Sequence, residues 1–331
     1  MTTTTDQPNQ IAKIYSHKNQ QKLIDHLELK NQVYIVGPTG SGKSQGVKLA
    51  AQKLNLPFYK KLVGNQTTET SILGYMDASG KYVEGIAYKP FTEGGLLLID
   101  EVDNGNPNTN LVINGLSDRA IAFPVGMREA HENFILVATA NTVGNGATIN
   151  YCGRNRLDAA LLNRFIFINW PYDEELEFEL ASEAYLLAGG PDVKNLKNLM
   201  FDVKNIRKAI EELNLTHIIS PRTSVQAAKM LASGKFDIKS IFGECLAKGL
   251  DDDSKKKILQ KSKLVEQYLE TNNTTGVITV DGKIDYETLI KLIIKLPDAD
   301  KMTLAKDIRN MERTVKDKLA SQYSNVYNSP F

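Results

Sequence analysis

The sequence predicts an α/β fold: a parallel five-stranded sheet with helices on both faces, followed by a helical region. Three observations carry this expectation. Five short apolar, β-rich runs recur at 33–36, 58–63, 96–99, 134–138 and 165–168, and continuous apolarity marks strands covered on both faces. The first run ends in a glycine-rich loop that opens onto a helical stretch at 45–54. After Trp170, Pro171 and Tyr172 the apolar residues recur at spacings of three and four as far as Leu250.

Taken in order, residues 1–10 form a threonine-rich polar tail that is expected to be disordered. A helix is expected over 11–29, with Ile14, Leu23, Ile24 and Leu27 on one face. Between the second and third runs, 74–95 has little helical periodicity and reads as a hairpin insertion. A second hairpin is expected at 120–131, bending at Pro124, Val125 and Gly126, just before the fourth strand. Pro171 is the expected hinge into helices at 174–187, 193–213, 222–232 and 238–246. From Asp251 onward the pattern gives a charged helix, a hairpin at 277–282 and helices from Tyr286 and Lys301. The expected domains are a core at 11–170, a helical region at 171–250 and a mostly helical extension at 251–331.

Composition excludes several classes. The chain has 331 residues, 42% of them apolar, and a formal net charge of +1, so no bulk charge draws it to nucleic acid or to a membrane surface. No run reaches the roughly 18 apolar residues of a membrane helix and the first ten residues lack a signal-peptide core, so a cytoplasmic location is expected. Two cysteines, Cys152 and Cys245, and four scattered histidines give neither a disulfide framework nor zinc-ligand spacing.

Gly37, Pro38, Thr39, Gly40, Ser41, Gly42, Lys43 and Ser44 satisfy G-x-x-x-x-G-K-[ST], with a strand before and a helix after. Chance alone gives the four fixed positions in roughly one chain in a hundred of this length, so the strand-loop-helix context decides. Such a loop wraps phosphate in backbone amides at the positive end of a helix. Lys43 then faces the β- and γ-phosphates of ATP, and the Ser44 hydroxyl ligates Mg2+. The run L-L-L-I-D-E at 96–101 delivers Asp100 and Glu101 at the carboxyl end of a strand, where open α/β sheets bind ligands. Asp100 suits water-mediated magnesium binding. Glu101 suits polarising a water that attacks the γ-phosphate; the plain alternative is that D-E at a strand end starts a loop, against which the apolar run and the phosphate loop upstream weigh.

With these motifs on the page, V-A-T-A-N at 137–141 resembles the sensor 1 strand of AAA+ ATPases, with Asn141 as the matching polar residue. The segment 153–165 is similar to the part of MoxR-type and dynein-related AAA+ modules that carries the arginine finger, with Arg164 matching. Arg154 and Arg156 beside it either assist in trans or form loop salt bridges. Ser220, Pro221 and Arg222 resemble sensor 2 at the start of a lid helix, which implies that Arg222 contacts the nucleotide, while Pro221 is also ordinary helix-start chemistry.

The order of motifs and the two insertions resemble the helix-2-insert branch, on its MoxR and CobS side. The likeness implies an ATP-hydrolysing, magnesium-dependent ring, expected as a homo-hexamer, that remodels or activates a protein partner such as a von Willebrand A-domain protein. A nucleic-acid motor of McrB or helicase-loader type is the alternative, and a scaffold that binds ATP without turnover is a third. Tyr82, Met127 and Arg128 on the hairpins are candidate pore or partner contacts, against the plain reading that hairpin residues are merely exposed.

Overall fold

A computed structural model describes residues 15–264. The chain divides into two units, Met1–Ser262 and Lys263–Phe331. The expected tail at 1–10, the hairpin at 277–282 and the helices from Tyr286 and Lys301 lie outside the described residues.

Helix α1 (Gln20–Glu28) leads into β1 (Val33–Val36), α2 (Lys43–Lys53), β2 (Phe58–Leu62), α3 (Glu69–Leu73), the hairpin of β3 (Gly74–Met76) with β4 (Tyr82–Glu84), and α4 (Tyr88–Glu93). Then come β5 (Gly95–Asp100), α5 (Pro107–Ser117), the hairpin of β6 (Ala120–Phe123) with β7 (Gly126–Glu129), β8 (Phe134–Ala140), α6 (Ala159–Leu162) and β9 (Ile166–Asn169). The central sheet is parallel with order β2-β5-β8-β1-β9. The sequence expectation of five parallel strands holds, and in β1, β5 and β8 alternate residues enter two separate cores, whereas the edge strands β2 and β9 are partly exposed. Tyr34, Leu97, Ile99, Leu136 and Ala138 pack with Phe91 of α4 and Val112, Ile113 and Leu116 of α5. Val33, Ile35, Leu96, Leu98, Ile135 and Val137 pack with Leu23, Ile24 and Leu27 of α1 and Val47, Ala50 and Ala51 of α2. A strand with apolar partners on both faces has no polar alternation to show.

Two elements depart from the sequence expectation. Helix α1 begins at Gln20 rather than Ile11, and residues 15–19 are not helical. Their backbone and side chains are engaged at the far end of the core: the Lys18 amide donates to Asp173 Oδ2 at 2.6 Å, and Asn19 Nδ2 donates to the Asn169 carbonyl at 2.7 Å. The expected helix at 238–246 is instead a short α10 (Ile238–Ser240) running into a wider π-helical segment, Ile241–Leu246, closed by Ala247 N–H on the Phe242 carbonyl at 2.7 Å. Helices α4 and α5 occupy stretches where the periodicity was weak. Asn106 caps α5 by accepting from Thr109 N–H at 2.9 Å, with Pro107 in the first turn.

Trp170 ends the sheet and joins it to the helical region. It is 0% exposed, its indole N–H donates to the Ser41 carbonyl at 3.1 Å, and His17 stacks on it with centroids 4.2 Å apart. A Cβ on Gly46 of α2 would stand 2.6 Å from the Trp170 ring, so only glycine lets α2 lie this close. Burial pulls the His17 pKa down. The neutral ring then donates from Nε2 to the Pro171 carbonyl at 2.9 Å and accepts the Asn19 amide at Nδ1.

Beyond this point lie α7 (Glu174–Leu187), α8 (Val193–Glu212), α9 (Pro221–Ala232) and α11 (Asp252–Ser262). Asp173 caps α7 through Leu176 N–H. Helix α7 packs on α8 and α9. Helix α11, past the expected boundary at 250, packs on α8, where Lys261 pairs with Glu212 at 3.0 Å.

Candidate functional site

The site forms at the carboxyl edge of the sheet, where β1, β5 and β8 end side by side. The loop after β1 turns on Gly40 and Gly42, both at positive φ, and Gly42 precedes the first turn of α2. At Gly40 the φ is +76°, and a Cβ there would meet the Ser220 side chain at 2.7 Å, so glycine serves both the turn and the close approach of the α9 start.

Lys43 is 8% exposed. Its ammonium donates to the carbonyls of Gly37 and Pro38 at 2.7 and 3.0 Å and to Asn141 Oδ1 at 2.9 Å. Burial pulls its pKa down to about 8 against the raising influence of Asp100, Asp103 and Glu101. The Ser44 hydroxyl donates to Asp100 Oδ2 at 2.8 Å, while Thr139 donates to Oδ1 and the Lys60 ammonium lies 2.6 Å from Oδ2. Burial pushes the Asp100 carboxyl up, but the hydrogen bonds from Lys60, Thr139 and Ser44 outweigh it and hold the group below its ordinary value.

Ser44 and Asp100 are therefore two adjacent hard oxygen donors. No cluster of three or more His, Cys, Asp or Glu able to hold a metal occurs among the described residues. That donor set fits Mg2+, which is bound through one or two protein oxygens with phosphate and water completing the shell.

Glu101 has a left-handed backbone, φ 58°, and its carboxylate lies 3.1 Å from Arg154 Nη1. Arg154 also reaches Asp103 Oδ1 at 3.4 Å. Asp103 is fully buried and accepts from the Asn141 and Thr142 amides and the Thr142 hydroxyl, at 3.2, 3.0 and 2.9 Å. Asp103 thus fixes the backbone on which Asn141 stands.

Arg164 follows α6 and forms a two-point pair with Asp118, at 2.8 and 3.1 Å, while Nη1 donates to the Ala160 carbonyl. This raises the Arg164 pKa and lowers that of Asp118. The guanidinium is thus held by residues of its own chain, and no described contact joins it to the phosphate loop. Arg222 is exposed and second in α9, with no hydrogen bond or ion pair among the described residues. Its Cγ lies 3.9 Å from the position of a Gly40 Cβ, so α9 begins directly over the loop.

Sequence reasoning missed four groups here. Tyr151 accepts the Thr39 amide on its hydroxyl, and the Tyr172 hydroxyl donates to the Thr39 carbonyl, each at 3.0 Å. Burial pushes the Tyr172 phenol up to about 12, which keeps it a donor. Arg207 lies over the Tyr172 ring at 4.9 Å, pairs with buried Glu177 at 2.7 and 2.6 Å, and donates from Nε to the Ile219 carbonyl at 2.7 Å. No motif signals them, because their meeting depends on the path of the loop between β8 and α6 for Tyr151 and on how α7, α8 and α9 pack for the others.

On the hairpins, Met127 is exposed, and Arg128 donates to the Met127 carbonyl at 2.8 Å. Tyr82 faces inward: its hydroxyl donates to the Leu73 carbonyl and its ring meets Tyr88 edge-on, while Tyr75 and Met76 across the hairpin are exposed.

Residues 32–165 match the model of the AAA domain (dynein-related subfamily). The matched stretch includes the phosphate loop, Asp100, Glu101, Asn141 and Arg164, and supports an AAA+ ATPase. An uncharacterized protein of Staphylococcus aureus is 27% identical over 194 residues, covering 55% of this chain and 71% of that protein. One from Staphylococcus epidermidis is 27% identical over 179 residues, covering 49% and 65%. Among solved structures, NtrX from Brucella abortus in complex with ADP is 14% identical with a TM-score of 0.48, covering 76% of this chain and 60% of that one. Among the described residues no helix is long and apolar enough to cross a membrane.

Proposed function

We propose that the chain is a magnesium-dependent AAA+ ATPase of the MoxR and CobS kind. It works as a homo-oligomeric ring, expected as a hexamer, and remodels or activates a protein partner. The observation that carries this reading is the convergence of three sheet ends on one point. Lys43 is bonded to Asn141 at 2.9 Å and Ser44 to Asp100 at 2.8 Å. A structural loop would not need a buried ammonium with three acceptors beside a buried carboxylate.

In this reading the γ-phosphate takes Lys43 from its resting carbonyl partners, and phosphate charge offsets the cost of burying the ammonium. Mg2+ held by Ser44 and Asp100 supplies charge neutralisation on the phosphates. Asn141 and Glu101 then flank the γ-phosphate: Asn141 orients the attacking water and Glu101 accepts its proton. Arg164 acts on the neighbouring protomer, where a guanidinium of this kind contributes about 10³ to 10⁵ in rate. Arg222, free and over Gly40, reads the nucleotide from the helical region. Near-neutral net charge supports a protein partner over nucleic acid, and exposed Met127, Tyr75 and Met76 supply apolar contacts on the hairpins.

ATP turnover and light scattering with ATP test the reading on wild type, Lys43→Ala and Glu101→Gln. Lys43→Ala should lose nucleotide binding. Glu101→Gln should bind ATP, hydrolyse it at least about a hundredfold more slowly, consistent with loss of a general base, and accumulate as the assembled ring. Normal turnover by Glu101→Gln would overturn the mechanism, and a nucleotide-independent monomer would overturn the ring.

A further inference from the structure

Asp100 carries one cation more than phosphate-loop chemistry uses. Lys60 stands on β2, the edge strand, opposite Leu98 of β5, and Leu62 stands opposite Asp100. Residues two apart on a strand share a face, so the Lys60 side chain runs along the sheet face to the Asp100 carboxylate. Its ammonium ends 2.6 Å from Oδ2, the same oxygen that takes the Ser44 hydroxyl at 2.8 Å. The Lys60 side chain is 42% exposed and that of Asp100 is 10% exposed. A half-exposed ammonium thus tips inward onto a buried carboxylate, on the oxygen turned toward the expected metal position. The other oxygen is already occupied by Thr139.

We propose that Lys60 is an exchangeable counter-ion for Asp100: it neutralises the carboxylate in the metal-free site and must leave when Mg2+ arrives with nucleotide. This rests on the reading of Ser44 and Asp100 as the magnesium donors. A dication held at Asp100, through water or not, and an ammonium on the same carboxylate repel each other, and like charge nearby weakens binding of a further cation. The flexible four-carbon stem gives the ammonium an easy exit to water. Lys60 therefore raises the Mg2+ concentration needed to load the nucleotide complex and keeps Asp100 from holding free Mg2+ alone.

The test is isothermal titration of the full chain with ADP, in EDTA and across a Mg2+ series. Electron paramagnetic resonance with Mn2+ gives a second readout that does not depend on turnover. Lys60→Met should lower the Mg2+ concentration for half-maximal effect about three- to tenfold, in line with the loss of one partly buried ion pair. Its ADP affinity in EDTA should change less than about twofold. Lys60→Arg, which keeps the charge, should behave like wild type, and circular dichroism checks the fold of each variant. An unchanged Mg2+ dependence in Lys60→Met overturns the counter-ion role, as does a higher Mg2+ requirement, which would make Lys60 a support for the metal site. Wild type failing to bind ADP with or without Mg2+ would remove the nucleotide reading itself. Mg2+-responsive binding that is identical in wild type and Lys60→Met would remove the Lys60 proposal alone.

Discussion

Replacing Glu177 with Gln should destabilise the protein by about 3–4 kcal/mol, because it strips the charge from a buried pair and leaves the partner behind. Glu177 has 1% side-chain exposure and accepts both terminal nitrogens of Arg207, at 2.7 and 2.6 Å, as well as the Ser224 hydroxyl. A Gln side chain keeps the shape but offers one oxygen for three donors and turns an NH2 group toward the guanidinium. The figure falls short of the upper end for buried pairs because Arg207 keeps 20% exposure and some water. For a unit of this size that is a fall of roughly 6–16 °C in Tm. Urea unfolding followed by circular dichroism measures it, with an unchanged m-value as the sign that the folded state alone is affected. The double variant Glu177→Leu with Arg207→Met should recover at least about half of the loss, since an apolar pair removes both buried charges at once. A cost under about 1 kcal/mol for Glu177→Gln, or a double variant no better than the single one, would refute the reasoning.

Other outcomes follow from the same geometry. Lys43 has a pKa of about 8 in the free protein, and bound phosphate favours its charged form, so nucleotide binding should take up protons above that pH. With a bound value back near the ordinary one, uptake should be about 0.7 proton per ADP at pH 8.5, and affinity should fall about tenfold from pH 7 to 9. Calorimetry in two buffers of different ionisation enthalpy measures this, and zero uptake counts against it. Gly40→Ala places a Cβ 2.7 Å from the Ser220 side chain at a φ of +76°, so it should cost about 1–3 kcal/mol and weaken ADP binding measured by titration. Arg164→Ala should bind ATP without hydrolysing it, and mixing it with Lys43→Ala should restore turnover if the finger works across protomers. No rescue in the mixture argues for cis action, in which case Arg164 would have to leave Asp118 for its own phosphate loop.

The legible parts of the molecule are those written locally in the chain. Strands β1, β5 and β8 lie between two cores, so apart from Asp100 and Thr139 at their site ends they show no polar alternation and their place is evident. Lys43 and Ser44 are fixed by their spacing from Gly37, and Asp100 and Glu101 by the end of β5. Helix α5 is signalled only by its start, Asn106 and Pro107, a local cap that gives no length by itself. The end of α1 nearest residue 19 was missed because residues 15–19 answer to Asp173 and Asn169, about 150 positions away. Lys60, Thr139 and Asp103 join the site only through strand register and the turn after β5, which no spacing rule reaches. For Arg154, a loop salt bridge was among the expected alternatives, but its partners, Glu101 and Asp103, were not.

The contacts at Thr39 explain how one loop can be tied to two distant parts of the molecule. Its amide is taken by Tyr151, three residues before Arg154, which holds Glu101. Its carbonyl is taken by Tyr172, which carries Arg207 over its ring, and Arg207 holds the Ile219 carbonyl three residues before Arg222. Coupling between sites travels through packed, bonded groups that have two arrangements to choose between. Both chains of contact start from the same peptide unit of the phosphate loop. A phosphate that shifts this peptide should therefore strain the hold on Glu101, the proposed general base, and the seat of α9 together. Tight packing makes that response joint: Trp170 is wholly buried, with its ring against Gly46 and its indole on the Ser41 carbonyl, so the loop has little room to move without taking Trp170 with it.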